Sequence, residues 1–228
     1  MHFNIVVHCR DYKNYLRVFI DSLNKQTYKD FDLTILNVGN LCSTQDIKCD
    51  FTFHEIIVPE SNPYNLPFIV NSMVQHSSGD NLILCNPDIY FYSTFLEELS
   101  HIDLEKEFYF CHNRQQVTDE TTKLFLSGDY SDVKITNKYG SSGDVIVLDR
   151  KILKKIGGID ENYKIFYDCN LSRRLVLLGL TSYEKCAGVF YHMSHVFANR
   201  VGVGSMTGQE WHKEFNTLPT NAYIGKRE

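Results

Sequence analysis

No stretch of this sequence approaches the roughly 18 to 20 consecutive apolar residues that a membrane-spanning helix needs. The opening segment, Met1 to Arg10, contains only a short apolar run without a cleavage-like region, which is typical of a strand rather than of a leader. The 228 residues are 43% hydrophobic and 22% charged, as in ordinary soluble domains, and they are too few for two well-buried domains and a linker. We therefore expect a single-domain cytoplasmic protein, which would act at a membrane only by peripheral docking.

An excess of positive charge is also missing. The chain has 23 Lys and Arg against 28 Asp and Glu, which gives a formal net charge of −5. Without a basic field, a protein lacks the electrostatic attraction on which general binding to phosphate backbones depends. The composition therefore argues against a nonspecific nucleic-acid binder. It leaves open an enzyme that acts on a nucleic acid through a local patch.

Cysteine pairs of the C-x-x-C type are absent, although the chain has seven cysteines. The odd number leaves at least one thiol unpaired, and several cysteines lie within apolar runs, as buried reduced thiols of cytosolic proteins do. The sequence also contains no G-x-S-x-G elbow and no Cys-His signature. Nucleophilic catalysis therefore has no support from a recognisable motif.

Short apolar runs alternate with helical patterns in the N-terminal half. Phe3 to His8 and Asp32 to Leu36 are predicted to be buried strands, and Tyr15 to Asn24 a helix, because four apolar residues fall on one of its faces. Asn81 to Cys85 is almost wholly apolar, which is typical of a central strand covered on both sides. Strands that alternate with helices predict an α/β fold, with a Rossmann-like, mainly parallel sheet flanked by helices.

The second half of the chain is less regular. Glycines interrupt every pattern beyond Ser194, so residues 193–228 are predicted to form a loop followed by a short helix. Strands are predicted at Glu107 to Cys111, Lys123 to Leu126, Asp144 to Leu148 and Gly188 to His192, and helices at Lys151 to Ile156 and Leu171 to Leu178.

The tripeptide Asn86-Pro87-Asp88 directly follows the predicted central strand. In open parallel sheets, ligands bind beyond the carboxyl ends of the strands. A carboxylate beside an amide oxygen offers the hard oxygen ligands that divalent cations prefer. The alternative is a simple Asn-Pro turn whose aspartate caps the next segment. Taken alone, the tripeptide favours the turn.

Several further short motifs follow one another in order between residues 3 and 192. They are Ile5-Val6-Val7 with Arg10, Leu16, Leu23 and Gln26, then Asn62, Asn71 and Gly79-Asp80, then Asn86-Pro87-Asp88, Gly157-Gly158-Ile159-Asp160-Glu161, and Asp168 to Leu175. In this order and spacing they resemble glycosyltransferase family 2, whose members are inverting enzymes of the GT-A fold. The resemblance implies a nucleoside-diphosphate sugar as donor. Residues 1–90 would then bind the donor, 91–192 would carry acceptor binding and catalysis, and 193–228 would be a C-terminal loop and helix.

The resemblance also implies a metal site. Asn86-Pro87-Asp88 stands at the family's D-x-D position, so Asp88 is the expected ligand of Mn²⁺ or Mg²⁺, which would neutralise the departing diphosphate as a Lewis acid. Asn86 would bind the ion through its amide oxygen or a water, or contact the sugar or ribose. His192 and His195 fall where many relatives supply a histidine ligand, which suits Mn²⁺ better than Mg²⁺. The alternative for each histidine is a structural role.

Asp168 is implied to be the base that deprotonates the acceptor hydroxyl on the face opposite the leaving group. Its alternative role is that of a helix N-cap, and the two roles can coexist. Arg174 is expected to orient Asp168 or to approach the diphosphate, unless it belongs to a solvated helix face. Tyr167 and Asn170 stand where relatives frequently have acids.

The nucleotide is expected at the ends of the first predicted strands and in the loops beside them. Asn37 stands where relatives commonly have an aspartate, so the identity of the base is not indicated. The expected donor-binding residues are Val7, His8, Cys9, Arg10, Asn37, Asn62, Asn71 and Asn86.

The acceptor is not encoded in any recognisable motif. A glycan, such as a bacterial surface glycan, or a lipid-linked sugar is the leading expectation, while a protein or a modified nucleobase stays open. Because Asn37, Asn86, Tyr167 and Asn170 each replace a common acid, a catalytically weakened nucleotide-sugar-binding scaffold is the alternative to an enzyme. A nucleotidyltransferase is disfavoured, because the segment from Val7 to Lys13 lacks the glycines of a phosphate-binding loop.

Overall fold

A seven-stranded sheet with helices on both faces forms the centre of the molecule in the computed structural model. The structure describes residues 1–42, 44, 46–60, 65–111, 114–139, 142–163, 167–183 and 190–194. Its strands are β1 (Phe3–Cys9), β2 (Phe31–Val38), β3 (Phe53–Val58), β4 (Asn81–Cys85), β5 (Ile89–Phe91), β6 (Glu107–Cys111), β7 (Arg114–Val117), β8 (Ile135–Tyr139), β9 (Ser142–Asp149), β10 (Thr181–Ser182) and β11 (Phe190–His192). Its helices are α1 (Lys13–Asn24), α2 (Leu66–His76), α3 (Phe95–Leu99), α4 (Asp119–Ser127), α5 (Arg150–Lys155) and α6 (Tyr167–Leu177).

The main sheet has the strand order β10-β6-β9-β4-β1-β2-β3. The four strands β4, β1, β2 and β3 are parallel, and β10 is parallel to β6. Strand β9 is antiparallel to both of its neighbours, β4 and β6. The predicted α/β fold with a mainly parallel sheet flanked by helices is confirmed. The reversed direction of β9 is a feature that the sequence did not indicate.

A second, four-stranded sheet has the order β5-β11-β7-β8. Phe91 in β5 and Phe190 in β11 are completely buried in the same apolar cluster as Ile5 of β1 and Ile83 of β4. The small sheet therefore shares the core of the main sheet. This sharing brings residues from the end of the described chain close to the centre of the fold.

The strands bury alternate side chains on the two faces of the main sheet, because successive side chains of a strand point in opposite directions. Ile5, Val7 and Cys9 of β1 lie in the cluster that includes the apolar face of α1, whereas Val6 lies in the cluster formed with α2 and α6. Helix α2 begins with Pro67 in its first turn, where the missing N–H of proline costs no hydrogen bond. Its cap is Asn65, whose side chain accepts a hydrogen bond from the Phe68 N–H.

The prediction of a strand at Lys123 to Leu126 is wrong, because these residues belong to helix α4. The side chain of Thr118 caps this helix by accepting a hydrogen bond from the Thr121 N–H. Gly128 ends it in the left-handed conformation, with φ of 90°. The cap and the terminating glycine outweigh the strand propensity of a short apolar run.

Among the described residues, no helix combines the length and the apolar character needed to cross a bilayer. Most of the predicted C-terminal loop and helix, residues 195–228, lies outside the part of the chain that the structure describes.

Candidate active site

Polar side chains gather at the edge of the main sheet where β1 and β4 end. Because β9 is antiparallel to β4, it begins at the same edge, and Cys85 pairs with Val145 in the last rung of the ladder. One residue further, the Asn86 N–H donates to the Asp144 carbonyl at 3.1 Å. The start of β9 therefore places Asp144 directly beside Asn86, the first residue of the predicted metal-binding tripeptide.

The side chains of these two residues also interact. Asn86 Nδ2 donates a hydrogen bond to Asp144 Oδ1 at 2.9 Å. Arg114, the first residue of β7, places its Nε 3.0 Å from Asp144 Oδ2, and the two side chains are only 18% and 13% exposed. The Asp144 carboxylate is thus held between an amide and a guanidinium, in a setting where water screens the charges weakly.

Asp88 and His192 form a second polar pair close to the same edge. His192 Nε2 lies 3.3 Å from Asp88 Oδ2, and both residues are buried. The Met193 N–H donates to the Asp88 carbonyl at 2.9 Å, which ties the end of β11 to the tripeptide. The two side chains that were predicted as metal ligands are therefore neighbours. The third predicted ligand, His195, lies outside the described residues.

A carboxylate and an imidazole fit the ligand preferences of Mn²⁺. Within the described ranges, no group of three or more His, Cys, Asp and Glu side chains is arranged to hold an ion. Divalent ions at diphosphate sites commonly take only one or two protein carboxylates, and substrate phosphates and waters complete their coordination. The pair of Asp88 and His192 is therefore compatible with an ion that is held jointly by the protein and a diphosphate.

Asp168 lies in the first turn of α6, with the start of β9 beside it. Burial raises the pKa of the Asp168 carboxyl group and the negative charge of Asp144 adds to the rise, while hydrogen bonds from backbone N–H groups, including that of Gly143, counteract it. A Cβ atom on Gly143 would lie 2.5 Å from the Asp168 Cβ, a distance that side chains do not tolerate. Glycine at 143 is thus what allows β9 to approach the predicted base.

His8 ends β1 as a buried side chain, and its Nδ1 has no hydrogen-bond partner among the described residues. Burial lowers the pKa of His8 to about 4, although the negative charge of Asp88 acts in the opposite direction. The imidazole is therefore neutral near pH 7. It lines a small cavity on the α2 face of the sheet, together with Asn86, Gly143 and Tyr167.

The other residues predicted around the nucleotide base have mainly internal contacts. Val7 and Cys9 have fully buried side chains in the core cluster on the α1 side. Arg10 forms an ion pair with Glu60. Asn37 Nδ2 donates to Glu55 Oε1 at 2.6 Å, and its Oδ1 accepts from the Cys42 N–H at 3.0 Å.

These contacts show that the Asn37 amide shapes the turn after β2 and that an acid, Glu55 of β3, lies beside it. Asn62, which was predicted on the donor side, is outside the described residues.

Asn71 and Arg174 both hold the segment between α5 and α6. The Asn71 amide donates to the Ile159 carbonyl and accepts from the Ile159 N–H, each at 2.8 Å. The Arg174 guanidinium donates to the carbonyls of Ile156 at 3.0 Å and Gly158 at 2.6 Å. Arg174 is 5% exposed, so the alternative of a solvated helix face is wrong. These bonds support the loop that leads into the helix of Asp168.

Asp144 and Arg114 are the members of this cluster that were not predicted from the sequence. The sequence feature that could have indicated Asp144 is its place at the start of the predicted strand Asp144 to Leu148, directly after Gly143. It could be interpreted only with the knowledge that this strand is antiparallel to β4, because a parallel strand would have placed Asp144 at the opposite edge of the sheet.

No protein-family model and no curated protein matches this sequence. Solved structures do match its fold. A crystal structure of S. aureus TarS superposes with a TM-score of 0.58 at 12% identity, covering 85% of this chain and 37% of that chain. A complex of TarS residues 1–349 with UDP-GlcNAc gives 0.56 at 10% identity, covering 86% and 59% of the two chains. The mannosyltransferase PcManGT from Pyrobaculum calidifontis, in complex with GDP-Man and Mn²⁺, gives 0.58 at 10% identity, covering 87% and 58%.

This chain therefore spans less than two thirds of each of these proteins. At such low identity the likeness concerns the fold, and it agrees with the α/β architecture described above. The fold is GT-A-like, similar to those of TarS and PcManGT.

Proposed function

We propose that the protein is a glycosyltransferase that takes its sugar from a nucleoside-diphosphate sugar. The observation that carries this proposal is the Asp88–His192 pair beyond the carboxyl end of β4, together with Asp168 packed against Gly143 at the start of the neighbouring strand β9. Proteins of similar fold have been solved with UDP, with UDP-GlcNAc, and with GDP-Man and Mn²⁺, which supports the same class of donor here.

In this proposal Asp88 and His192 would hold Mn²⁺ or Mg²⁺, with His195 as a further candidate ligand. When bound, the ion supplies positive charge that stabilises the departing diphosphate. Asn86 would turn its amide oxygen toward the donor. His8 would offer the donor a neutral imidazole, which can form a hydrogen bond but adds no positive charge to that of the metal ion.

Asp168 is proposed as the general base, and the transfer as inverting. As the acceptor oxygen forms its bond to the anomeric carbon, the bond between that carbon and the diphosphate oxygen breaks, and the hydroxyl proton passes to the Asp168 carboxylate. Partial burial and the neighbouring charge of Asp144 favour this role, because a raised pKa makes a carboxylate a stronger base. Arg174 contributes indirectly, through the loop that leads to the helix of Asp168.

We further propose a hexosyl- or pentosyltransferase that works in glycan biosynthesis in the cytoplasm, peripherally at a membrane where its acceptor is lipid-linked. A glycan or lipid-linked sugar acceptor agrees with the net charge of −5, which offers no general attraction to a nucleic acid. A modified nucleobase would need a local binding patch.

One observation favours a second candidate, a nucleotide-sugar-binding scaffold with weakened catalysis. Asn37 stands where relatives commonly have an acid, and its amide is already bonded to Glu55 of β3 and to the Cys42 backbone in the turn after β2. A scaffold would bind donors without consuming them, so measurements of binding and turnover on the same sample separate the two functions.

The first experiment is a thermal-shift screen of UDP- and GDP-sugars with Mn²⁺, Mg²⁺ or EDTA, followed by assays of nucleoside-diphosphate release. Ligands of the native state raise the melting temperature by mass action. A donor that stabilises the protein and is consumed supports the enzyme. Stabilisation without diphosphate release from any donor supports the scaffold, and the absence of any stabilisation contradicts both.

The matched variant is Asp168→Asn, which keeps the shape of the side chain but cannot accept the acceptor proton. We expect the donor-induced thermal shift to be retained and turnover to fall by about 100-fold or more, the typical contribution of a general base. Asp80→Asn is the control, because Asp80 is an exposed carboxylate that pairs with Lys151 before β4 begins. Loss of donor binding in Asp168→Asn would instead identify Asp168 as a structural cap.

A further inference from the structure

Asp144 is an unexpected acid between the two functional parts of the candidate site. On one side its carboxylate accepts the hydrogen bond from Asn86, in the tripeptide that contains Asp88. On the other side the adjacent Gly143 packs against Asp168 so closely that a Cβ would not fit. The metal-binding tripeptide and the predicted base are therefore both in contact with the start of β9.

We propose that Asp144, held by Arg114, is a positioning residue that fixes the Asn86 amide and keeps a negative charge beside Asp168. The inference rests on the proposed function, since it assigns Asp144 a part in that site. Asp144 also supplies the negative charge that the tripeptide lacks at Asn86, because its carboxylate, on the neighbouring strand, lies 2.9 Å from the Asn86 amide.

The chemistry of the contact fixes the orientation of Asn86. An ionised carboxylate can only accept hydrogen bonds, so the amide atom that faces Asp144 must be the nitrogen. The Asn86 oxygen is then turned away from Asp144, which makes it the atom available to the donor or a metal-bound water. Without Asp144, the amide would lose the partner that selects this orientation.

The charge on Asp144 also acts on Asp168. Among the residues that the structure describes, the groups that act on the Asp168 carboxyl are the Asp144 carboxylate from β9, the Cys169 thiol from α6, and nearby backbone N–H groups. Burial raises the pKa of Cys169 to about 12, so this thiol is neutral near pH 7. Within the described ranges Asp144 is therefore the negative neighbour, and Arg114 Nε, 3.0 Å from its carboxylate, is the cation that offsets its charge.

Two variants of the ion pair make predictions of opposite sign. Asp144→Asn removes the negative charge and is expected to lower the pKa of Asp168. Arg114→Gln removes the cation that offsets Asp144 and is expected to raise it. Each shift should be roughly half a unit or more, as is typical of charges at such partly buried sites. If the ion pair had only a structural role, the two variants would not shift the pKa of Asp168 in opposite directions.

The measurement is a ¹³C-detected NMR titration of the Asp168 carboxyl group in the full chain, with EDTA present. Asp80→Asn is the matched control, because it changes the net charge as Asp144→Asn does but lies on an exposed turn. Opposite shifts in the two variants, with none in the control, support the proposal. Equal shifts, shifts of one sign, or no shifts overturn it. The titration needs no turnover, so an inactive protein contradicts the proposed function without deciding this point.

The positioning of Asn86 is tested separately by turnover. Asn at 144 can still accept a hydrogen bond from Asn86, whereas Ala cannot. We expect Asp144→Ala to reduce kcat by about tenfold or more, since small misplacements of site residues are costly. Asp144→Asn should retain more of kcat, with folding of both variants checked by their melting temperatures. Equal kcat in the two folded variants overturns the positioning of Asn86.

Discussion

At the scale of single residues, Gly143 marks the closest approach of two elements in the candidate site. A Cβ at this position would lie 2.5 Å from the Asp168 Cβ and 2.8 Å from Asp168 Oδ2. Gly143 is not among the glycines with positive φ, so the requirement for glycine comes from the contact and not from the backbone conformation. Either β9 or the first turn of α6 must move to accommodate any other residue.

We therefore predict that Gly143→Ala destabilises the fold by about 1–3 kcal/mol, the usual cost of overpacking. It should also lower turnover, because Asp168 would be displaced. Urea unfolding measures the first effect, and nucleoside-diphosphate release the second.

A double-mutant cycle with Asp168→Gly isolates the steric cause of the effect. Glycine at 168 removes the Cβ that blocks the new methyl group, so Gly143→Ala should cost less stability in that background than in the wild type. If the two costs simply add, the close contact is not the reason for glycine at 143.

The proximity of Asp88 and His192 could be predicted from the sequence, but the contacts of Asn71 and Arg174 could not. Asp88 and His192 were expected to act together, and their side chains lie 3.3 Å apart. Asn71 and Arg174 were expected near the donor and near Asp168. Their hydrogen bonds to the segment between α5 and α6 depend on tertiary packing, which no local pattern encodes.

At the scale of elements, the segment between α5 and α6 is held by hydrogen bonds from two helices, α2 and α6. The Asn71 amide of α2 makes two hydrogen bonds with the Ile159 backbone, and Arg174 of α6 donates to the carbonyls of Ile156 and Gly158. Because the Arg174 side chain is buried, these carbonyls lose their partner without access to water if the guanidinium is removed.

Arg174→Met is accordingly predicted to destabilise the protein by about 1–3 kcal/mol, the cost of leaving buried polar groups unsatisfied. The carbonyls lie in the loop that leads to α6, so turnover should also fall, with little change in the donor KM. The control is Arg173→Met, a change at the exposed neighbour in the same helix. Equal stabilities of the two variants in urea would show that the hydrogen bonds of Arg174 to the Ile156 and Gly158 carbonyls do not stabilise the fold.

The alternation of strands and helices was enough to predict the α/β fold, because each pattern extends over a whole element. The apolar segment Lys123 to Leu126 was too short for that, and the cap at Thr118 decides in favour of helix α4. The direction of β9 could not be predicted from the sequence for a different reason. Periodicity shows that a segment is a strand but does not show which strand it pairs with or in which direction.

At the scale of the whole molecule, the site is assembled from distant parts of the chain by the joining of two sheets. The small sheet brings His192 to Asp88 and supplies Arg114 to Asp144, whereas the main sheet aligns Asn86 with Asp144. Donor binding at this junction would therefore stabilise elements from both sheets at once. The melting temperature of the whole protein is a suitable measure of it.

The role of the metal follows from the same assembly. If the ion joins Asp88 and His192 to the diphosphate, a donor should stabilise the wild type more in Mn²⁺ than in EDTA. A ligand at 100 times its Kd adds about 2.7 kcal/mol to the free energy of unfolding, which amounts to several degrees in Tm for a domain of this size. We predict that Asp88→Asn removes the Mn²⁺-dependent part of this stabilisation, whereas the control Asp80→Asn retains it. Equal stabilisation of the wild type in Mn²⁺ and in EDTA would mean that donor binding does not use the ion, and that Asp88 and His192 form a structural pair.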